Sequence, residues 1–299
     1  METVLKIKNP NVEQEKLSGK ANVIDYYTAA GPDYEYWSKN FNMHFGYAKH
    51  STDCLSREKM LQRMNEVVLD DLNIKAKDEI VDIGCGLGAT LRFGGKAYPL
   101  ANFTGFTITP WQIEQSNDLI CRYNLKNAKV KYGDYTNIPL ENNSVNAVYG
   151  IESICHANGF DKKAPLEEAY RILKAGGNFA MIDGFLKKPE KELNPFVSAL
   201  YRRVCDNWAL TCFPEINAVT ERLKKIGYKN LKIEEISYKI APSAVHAPFT
   251  TLGFLIKKIF RGEQLNQQSW NNLKACFCIF FLGLSRSSIG YFKINATKP

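Results

Sequence analysis

The sequence predicts an α/β fold: a doubly wound, mostly parallel seven-stranded sheet with an antiparallel edge hairpin and a C-terminal cap. Three observations carry this. Short apolar runs alternate with helical patterns from residue 78 to 185, the βαβα order that builds parallel sheets. The run Ile80 to Thr90, I-V-D-I-G-C-G-L-G-A-T, is an apolar strand entering a glycine turn that opens a helix. The last two strand patterns, Leu231–Tyr238 and Gly290–Ala296, pair naturally as an antiparallel hairpin, with residues 240–285 inserted between them.

Taken in order, residues 1–20 are polar and read as frayed, and residues 21–50 are helical in part and dense in aromatics. Ser56–Asn73 places Met60, Met64, Val67, Val68 and Leu72 at helical spacing. Strands follow at Asp78–Ile83, Asn102–Thr107, Lys129–Tyr132, Val145–Tyr149 and Asn178–Phe185. Between them lie helices over Thr90–Tyr98, from Pro110 onward with Gln112 and Glu114, and over Leu166–Leu173, the last stopped by Gly176-Gly177. After Lys188 the pattern changes. Residues 189–218 read as a helical lid insertion, Thr220–Ile226 as a helix ending at Gly227, and Pro242–Ser269 as mixed. Neither an internal repeat nor a low-complexity linker appears. The chain therefore divides into an aromatic N-terminal segment or lid (1–50), a ligand-binding core (51–188), and cap insertions with the C-terminal edge strands of the same domain (189–299).

Hydrophobic content of 45% and charged content of 23% are ordinary for a globular protein. The net charge of +8 comes from scattered lysines rather than blocks. It implies weak attraction to anionic membranes or substrates and excludes a nucleic-acid footprint. Eight dispersed cysteines form no C-x-x-C pair, so neither a metal site nor a disulfide framework is expected, and reduced thiols in a cytoplasm fit. The N-terminus has no apolar run suited to a signal peptide. The longest apolar stretch, Ala275 to Leu284, is about half the roughly 20 residues of a membrane span. These features lead to a cytoplasmic chain, at most peripheral to membranes; the patch around Phe277, Phe280 and Phe281 is one contact candidate, with core packing its alternative. Homo-oligomerisation is left open.

The glycine turn is the richest signal. Asp82, Gly84, Gly86 and Gly88 form D-x-G-x-G-x-G. Glycines permit tight turns and close ligand approach, and a helix opening after a strand is where α/β sheets bind nucleotides. The carboxylate two residues before the first glycine suits a ligand with a cationic amino-acid tail better than a pyrophosphate. After the second strand no acidic residue is offered to a ribose. F-T-G-F-T-I-T-P-W-Q carries Thr107 and Gln112 there instead, alongside a helix start with Thr109 as N-cap and Pro110 at the first position. K-Y-G-D-Y-T-N-I-P places Asp134 and Tyr135 before the fourth strand, and R-I-L-K-A-G-G-N-F precedes the fifth.

The glycine run resembles motif I of the class I S-adenosylmethionine-dependent methyltransferases, which have a Rossmann-like fold. The other segments, in order over residues 78–186, resemble the motifs that follow it. The resemblance implies S-adenosyl-L-methionine as cofactor. Its amino-acid end would lie at Asp82, Gly84, Gly86 and Gly88, its ribose at Thr107 and Gln112, and its adenine at Asp134 and Tyr135. Y-G-I-E-S-I-C-H-A, residues 149–157, is similar to the Y-A-I-E-A-T-C-H-A-P of sterol C-methyltransferases. The aromatic stretch 26–47 is similar to that family's N-terminal segment, and the tail from S-W-N-N-L-K resembles the tocopherol methyltransferases. Residues 189–268 match poorly and are expected to shape the substrate pocket.

This resemblance implies methylation of an alkene in a sterol or other isoprenoid lipid through a carbocation, with a small hydrophobic substrate as partner. Aromatic faces stabilise such a cation, and Tyr34, Tyr36, Trp37, Phe41, Phe45 and Tyr47 are candidates, with Glu35 as a nearby charge. Core or lid packing is their alternative role. Loss of a proton needs a base. Glu152 and His156, four residues apart, would share one face of a helical turn. Glu152 also adjoins the cofactor, and His156 reads equally as a structural histidine. Cyclopropane-forming relatives carry glutamate where this chain has Cys155, which argues against cyclopropanation. Two other readings stand beside this one: C- or O-methylation of an aromatic lipid such as a tocopherol or quinone precursor, and a non-catalytic lipid- and cofactor-binding protein.

Overall fold

The computed structural model describes residues 22–263 and 267–299. A seven-stranded sheet is formed by β1 (Glu79–Ile83), β2 (Asn102–Thr107), β3 (Ala128–Tyr132), β4 (Val145–Ile151), β5 (Leu173–Leu186), β6 (Lys229–Glu235) and β7 (Ile289–Thr297). Their spatial order is β3-β2-β1-β4-β5-β7-β6. Strands β1 to β5 are mutually parallel, and β7 runs antiparallel between β5 and β6. The order reverses between β1 and β4, the point at which open α/β sheets leave a crevice beyond their carboxyl ends.

The central strands β1, β2 and β4 are buried on both faces because helices cover both sides, whereas the edge strands β3 and β6 are largely exposed. On one side Val81, Ile83, Val148 and Phe179 pack with α6 (Lys163–Ile172) and α8 (Ile216–Ile226). On the other, Ile80, Ala147 and Tyr149 pack with α3 (Arg57–Asp70) and α4 (Ala89–Ala97). Helix α5 (Pro110–Arg122) follows β2. A third apolar cluster joins Leu186 and Ile289 to α7 (Pro195–Asn207) and α10 (Gln267–Gly283), which form the cap with α9 (Ser237–Phe260). Two further helical segments, α1 at residues 22–30 and α2 at Tyr34–Trp37, cross the same end of the sheet. Local signals set several boundaries. The Ser56 side chain accepts from the Lys59 N–H at the start of α3. Gly227, at φ +112°, ends α8, a conformation that glycine adopts without strain.

The sheet, its mixed edge and the helical order agree with the sequence reading, but five local expectations differ. Residues 242–260, most of the stretch read as mixed, are one helix: α9 runs from Ser237 through Pro242 and Pro248 to Phe260. Each proline removes one backbone donor, and the helix continues because its apolar residues are buried along one side. Tyr238 therefore belongs to α9 rather than to β6. Gly176-Gly177 lies within β5, and α6 stops earlier, at Ile172. Thr109 stands at the N-cap of α5 but its side chain makes no capping bond. Glu152 and His156 do not share a helical face, because Glu152 sits at φ +47° before a short turn that begins at Ile154. The frayed reading of residues 1–20 lies outside the described residues.

Candidate active site

The glycine turn sits at the carboxyl end of β1. Asp82 is paired in register with Gly105 of β2 and Tyr149 of β4. Gly84 and Gly86 have φ of +90° and +52°. A Cβ on Gly84 would stand 2.5 Å from Ser153 Cβ, and one on Gly86 would stand 2.9 Å from Met43 Sδ. The absent side chains thus leave a cleft of about 190 Å³ lined by Asp82, Gly84, Gly86, Thr107, Gln112, Asp134 and Tyr135. Gly88 does not line it; at φ +67° it opens α4. Thr107 donates its hydroxyl to Gln112 Oε1 at 2.6 Å and accepts from the Thr109 N–H at 3.2 Å. Asp134 accepts from both the N–H and the hydroxyl of Thr136, each at 2.8 Å.

Burial pushes the Asp82 carboxyl up to about 7, against the opposing pull of the Tyr149 hydroxyl. Among the described residues no cationic side chain pairs with it. A buried carboxylate in that state calls for a positive group, and a ligand's ammonium would supply one.

A second cavity, of about 300 Å³, lies beside this cleft. Its wall includes Tyr26, Tyr34, Tyr36, Trp37, Phe45 and Trp208, closed by residues of α9 and α10. The two spaces share Tyr27, Met43, His44, Glu152 and His156. Of the aromatic candidates, Phe41 lines the cleft rather than the cavity, and Tyr47 lines neither and packs on the core cluster that includes α3. Glu35 is exposed and away from both spaces. Tyr36 and Trp37 line the cavity but not the junction. Each has one of the protein's own cations over its ring: Lys257 Nζ at 4.9 Å from Tyr36 and the Arg57 guanidinium at 5.2 Å from Trp37.

At the junction, Glu152 Oε1 accepts from the Phe45 N–H at 2.7 Å and from the Tyr291 hydroxyl. Burial raises its carboxyl to about 8, against the lowering effect of those two donors. His156 Nδ1 faces the Ala209 carbonyl at 3.0 Å and Nε2 faces the Tyr27 hydroxyl at 3.0 Å. Because a carbonyl can only accept, Nδ1 carries the proton and Tyr27 donates to Nε2. Burial lowers the imidazole to about 4, so it is neutral at neutral pH. A third carboxyl, Asp183 on β5, also lines the cavity and is pushed up to about 7 by burial. Sequence reasoning missed Tyr27, Met43, Tyr291 and Asp183. All four fall in segments that resemble relatives, but no motif within those segments singles them out.

The strand order, the glycine turn after β1 and the cleft above it are those of the class I methyltransferase fold, and residues 80–177 match the family model described as methyltransferase domain. Within that class the chain resembles the sterol C-methyltransferase group. It is 26% identical over 233 residues to the sterol 24-C-methyltransferase of Kluyveromyces lactis, covering 75% of this chain and 59% of that protein. It is 31% identical over 181 residues to cycloartenol-C-24-methyltransferase 1 of Oryza sativa subsp. japonica, covering 57% of this chain and 48% of that one. The chain thus spans about half to three-fifths of the length of these curated relatives. The fold is shared with the cyclopropane synthase MmaA2 from Mycobacterium tuberculosis at a TM-score of 0.82 and 16% identity, over 93% of this chain and 98% of that one.

Proposed function

We propose that the protein is an S-adenosylmethionine-dependent C-methyltransferase acting on an alkene of a sterol or other isoprenoid lipid. The observation that carries this is the meeting of a polar cleft and an aromatic cavity at one buried carboxyl, Glu152. The cleft fits the cofactor: Asp82 would pair with its ammonium, Thr107 and Gln112 would meet its ribose, and Asp134 its adenine amino group. Bound there, the cofactor supplies an electrophilic methyl group. Residues 51–188 would form this cofactor core, with the described part of 1–50 as aromatic segment or lid and 189–299 as cap insertions and edge strands of the same domain.

The chain's own residues supply the rest. The aromatic cavity holds an apolar substrate and excludes water. Methylation of an alkene carbon leaves positive charge on its neighbour. The rings closest to the junction, Tyr27 and Phe45, stabilise that charge by roughly 0.5–2 kcal/mol each. Glu152 then removes a proton. A cation beside it favours its ionised form, so a carboxyl that burial keeps largely neutral becomes a base when one is needed. His156, with Nδ1 committed to a carbonyl, positions Tyr27. The test is incubation with methyl-labelled cofactor and a panel of sterols, linear isoprenoids and quinone precursors. Label in a sterol or isoprenoid supports the reading. Label only in an aromatic lipid favours ring or hydroxyl methylation, and binding without label in any lipid overturns catalysis.

A further inference from the structure

We propose that the outer face of α9 and α10 is a docking surface for an anionic lipid bilayer. Helix α9 buries Ile240, Ala247 and Phe254. On the opposite side it exposes Val245, Phe249, Leu252, Ile256, Ile259 and Phe260, spaced as one face of a helix. Phe249 is 67% exposed and Phe260 87%. Apolar side chains exposed singly are normal, but a contiguous stripe marks an interaction surface. Helix α10 packs alongside and adds Trp270, Phe277 and Phe281, all exposed. The patch seen in the sequence around Phe277 and Phe281 is therefore the margin of a larger face, while Phe280 turns into the cavity.

Charge selects the partner. Neither helix contains an aspartate or glutamate, and together they carry Lys239, Lys257, Lys258 and Lys274. Lys258 is held by Asp33 at 3.1 Å, whereas Lys239, Lys257 and Lys274 are exposed. A second copy docked on this face would set lysine against lysine; anionic headgroups would pair with them. No described helix is long and apolar enough to cross a membrane, so the face lies in the interfacial plane. Val245 and Leu284 belong both to the exposed surface and to the cavity lining, so the cavity opens onto this face. The purpose of the surface, lipid entry from the bilayer, rests on the lipid-substrate reading; the docking itself does not.

Flotation of the full chain with phosphatidylcholine vesicles, with and without phosphatidylglycerol, tests the proposal. Binding is expected to the anionic vesicles at low salt. It should fall at least about tenfold in the double variant Phe249→Glu/Phe260→Glu, which loses two inserted aromatic groups. Circular dichroism and cofactor binding should be unchanged, since neither residue lines the cleft or the cavity. Absence of flotation with anionic vesicles, or flotation unaffected by the double variant, overturns the surface. So does a wild-type dimer that the double variant converts to monomer. Flotation without methyl transfer to any lipid would leave the surface standing and remove only the proposed reaction.

Discussion

Tyr291 of β7 donates its hydroxyl to the carboxyl of Glu152, which follows β4. The two residues are 139 positions apart. The bond fixes Glu152 at the boundary of cleft and cavity, where burial holds the carboxyl at about 8. Glu152→Gln should retain cofactor binding and lose turnover by about 10²–10⁴-fold, the span for a lost general base. In the wild type, kcat/KM should climb as pH rises toward 8, because that ratio reports the carboxyl of the free protein and only its ionised form accepts a proton. That limb should be absent from the variant. A pH profile that is the same in both proteins counts against Glu152 as base.

The same raised carboxyls shape stability. Asp82, Glu152 and Asp183 bind protons more tightly in the folded chain than in the unfolded one. Their contribution is therefore greatest below the unfolded carboxyl range and is lost as pH rises through about 7 to 8. His156, lowered to about 4, acts oppositely and is at its most favourable above about 6.5. Thermal melts of the ligand-free protein should show Tm falling from roughly pH 6.5 to 8. Glu152→Gln should flatten that fall, and a Tm rising steadily to pH 8 would refute the burial argument.

Cofactor binding should be coupled to Asp82. An ammonium pairs only with the ionised carboxylate, so affinity should rise up to tenfold per pH unit below about 7 and level off above it. Calorimetry in buffers of different ionisation enthalpy should detect proton release near pH 6.5. No release, with pH-independent affinity, would move the amino-acid end of the cofactor away from Asp82.

Gly86→Val should abolish cofactor binding in a protein that still folds. Gly86 sits at φ +52° beneath Met43, and a Cβ there would stand 2.9 Å from Met43 Sδ, inside the space the ligand must enter. Calorimetry on a variant with native circular dichroism decides this, and unchanged affinity is the adverse result.

That Asp82, Gly84, Gly86, Thr107, Gln112 and Asp134 line one cleft was legible because they lie on short stretches tied to single strand ends, those of β1, β2 and β3. Gly88 was misassigned because a glycine that only starts a helix looks the same in sequence as one that admits a ligand. The junction was legible only in part. Tyr27 reaches His156 from α1 and Tyr291 reaches Glu152 from β7, while Asp183 of β5 lines the cavity beside them, a convergence that chain spacing does not encode. Helix α9 was obscured by Pro242 and Pro248, whose local preference against helix is overridden by burial of Ile240, Ala247 and Phe254.

Tyr27→Phe isolates the contact at 3.0 Å between its hydroxyl and His156 Nε2. Turnover should fall about tenfold, the size of one hydrogen bond, with cofactor affinity retained. His156→Ala should then add little in the Tyr27→Phe background, because the two act as one unit. Fully additive losses would mean that His156 meets the substrate directly.

The central claim is that the methyl group arrives on a carbon of the former alkene itself, at the junction held by Glu152. Carbon-13 NMR of the lipid product made with methyl-labelled cofactor tests it most directly. A labelled methyl or methylene carbon bonded to carbon, with the double bond shifted by one position, is the expected result. A labelled methyl bonded to oxygen would contradict the claim and the cation chemistry built on it.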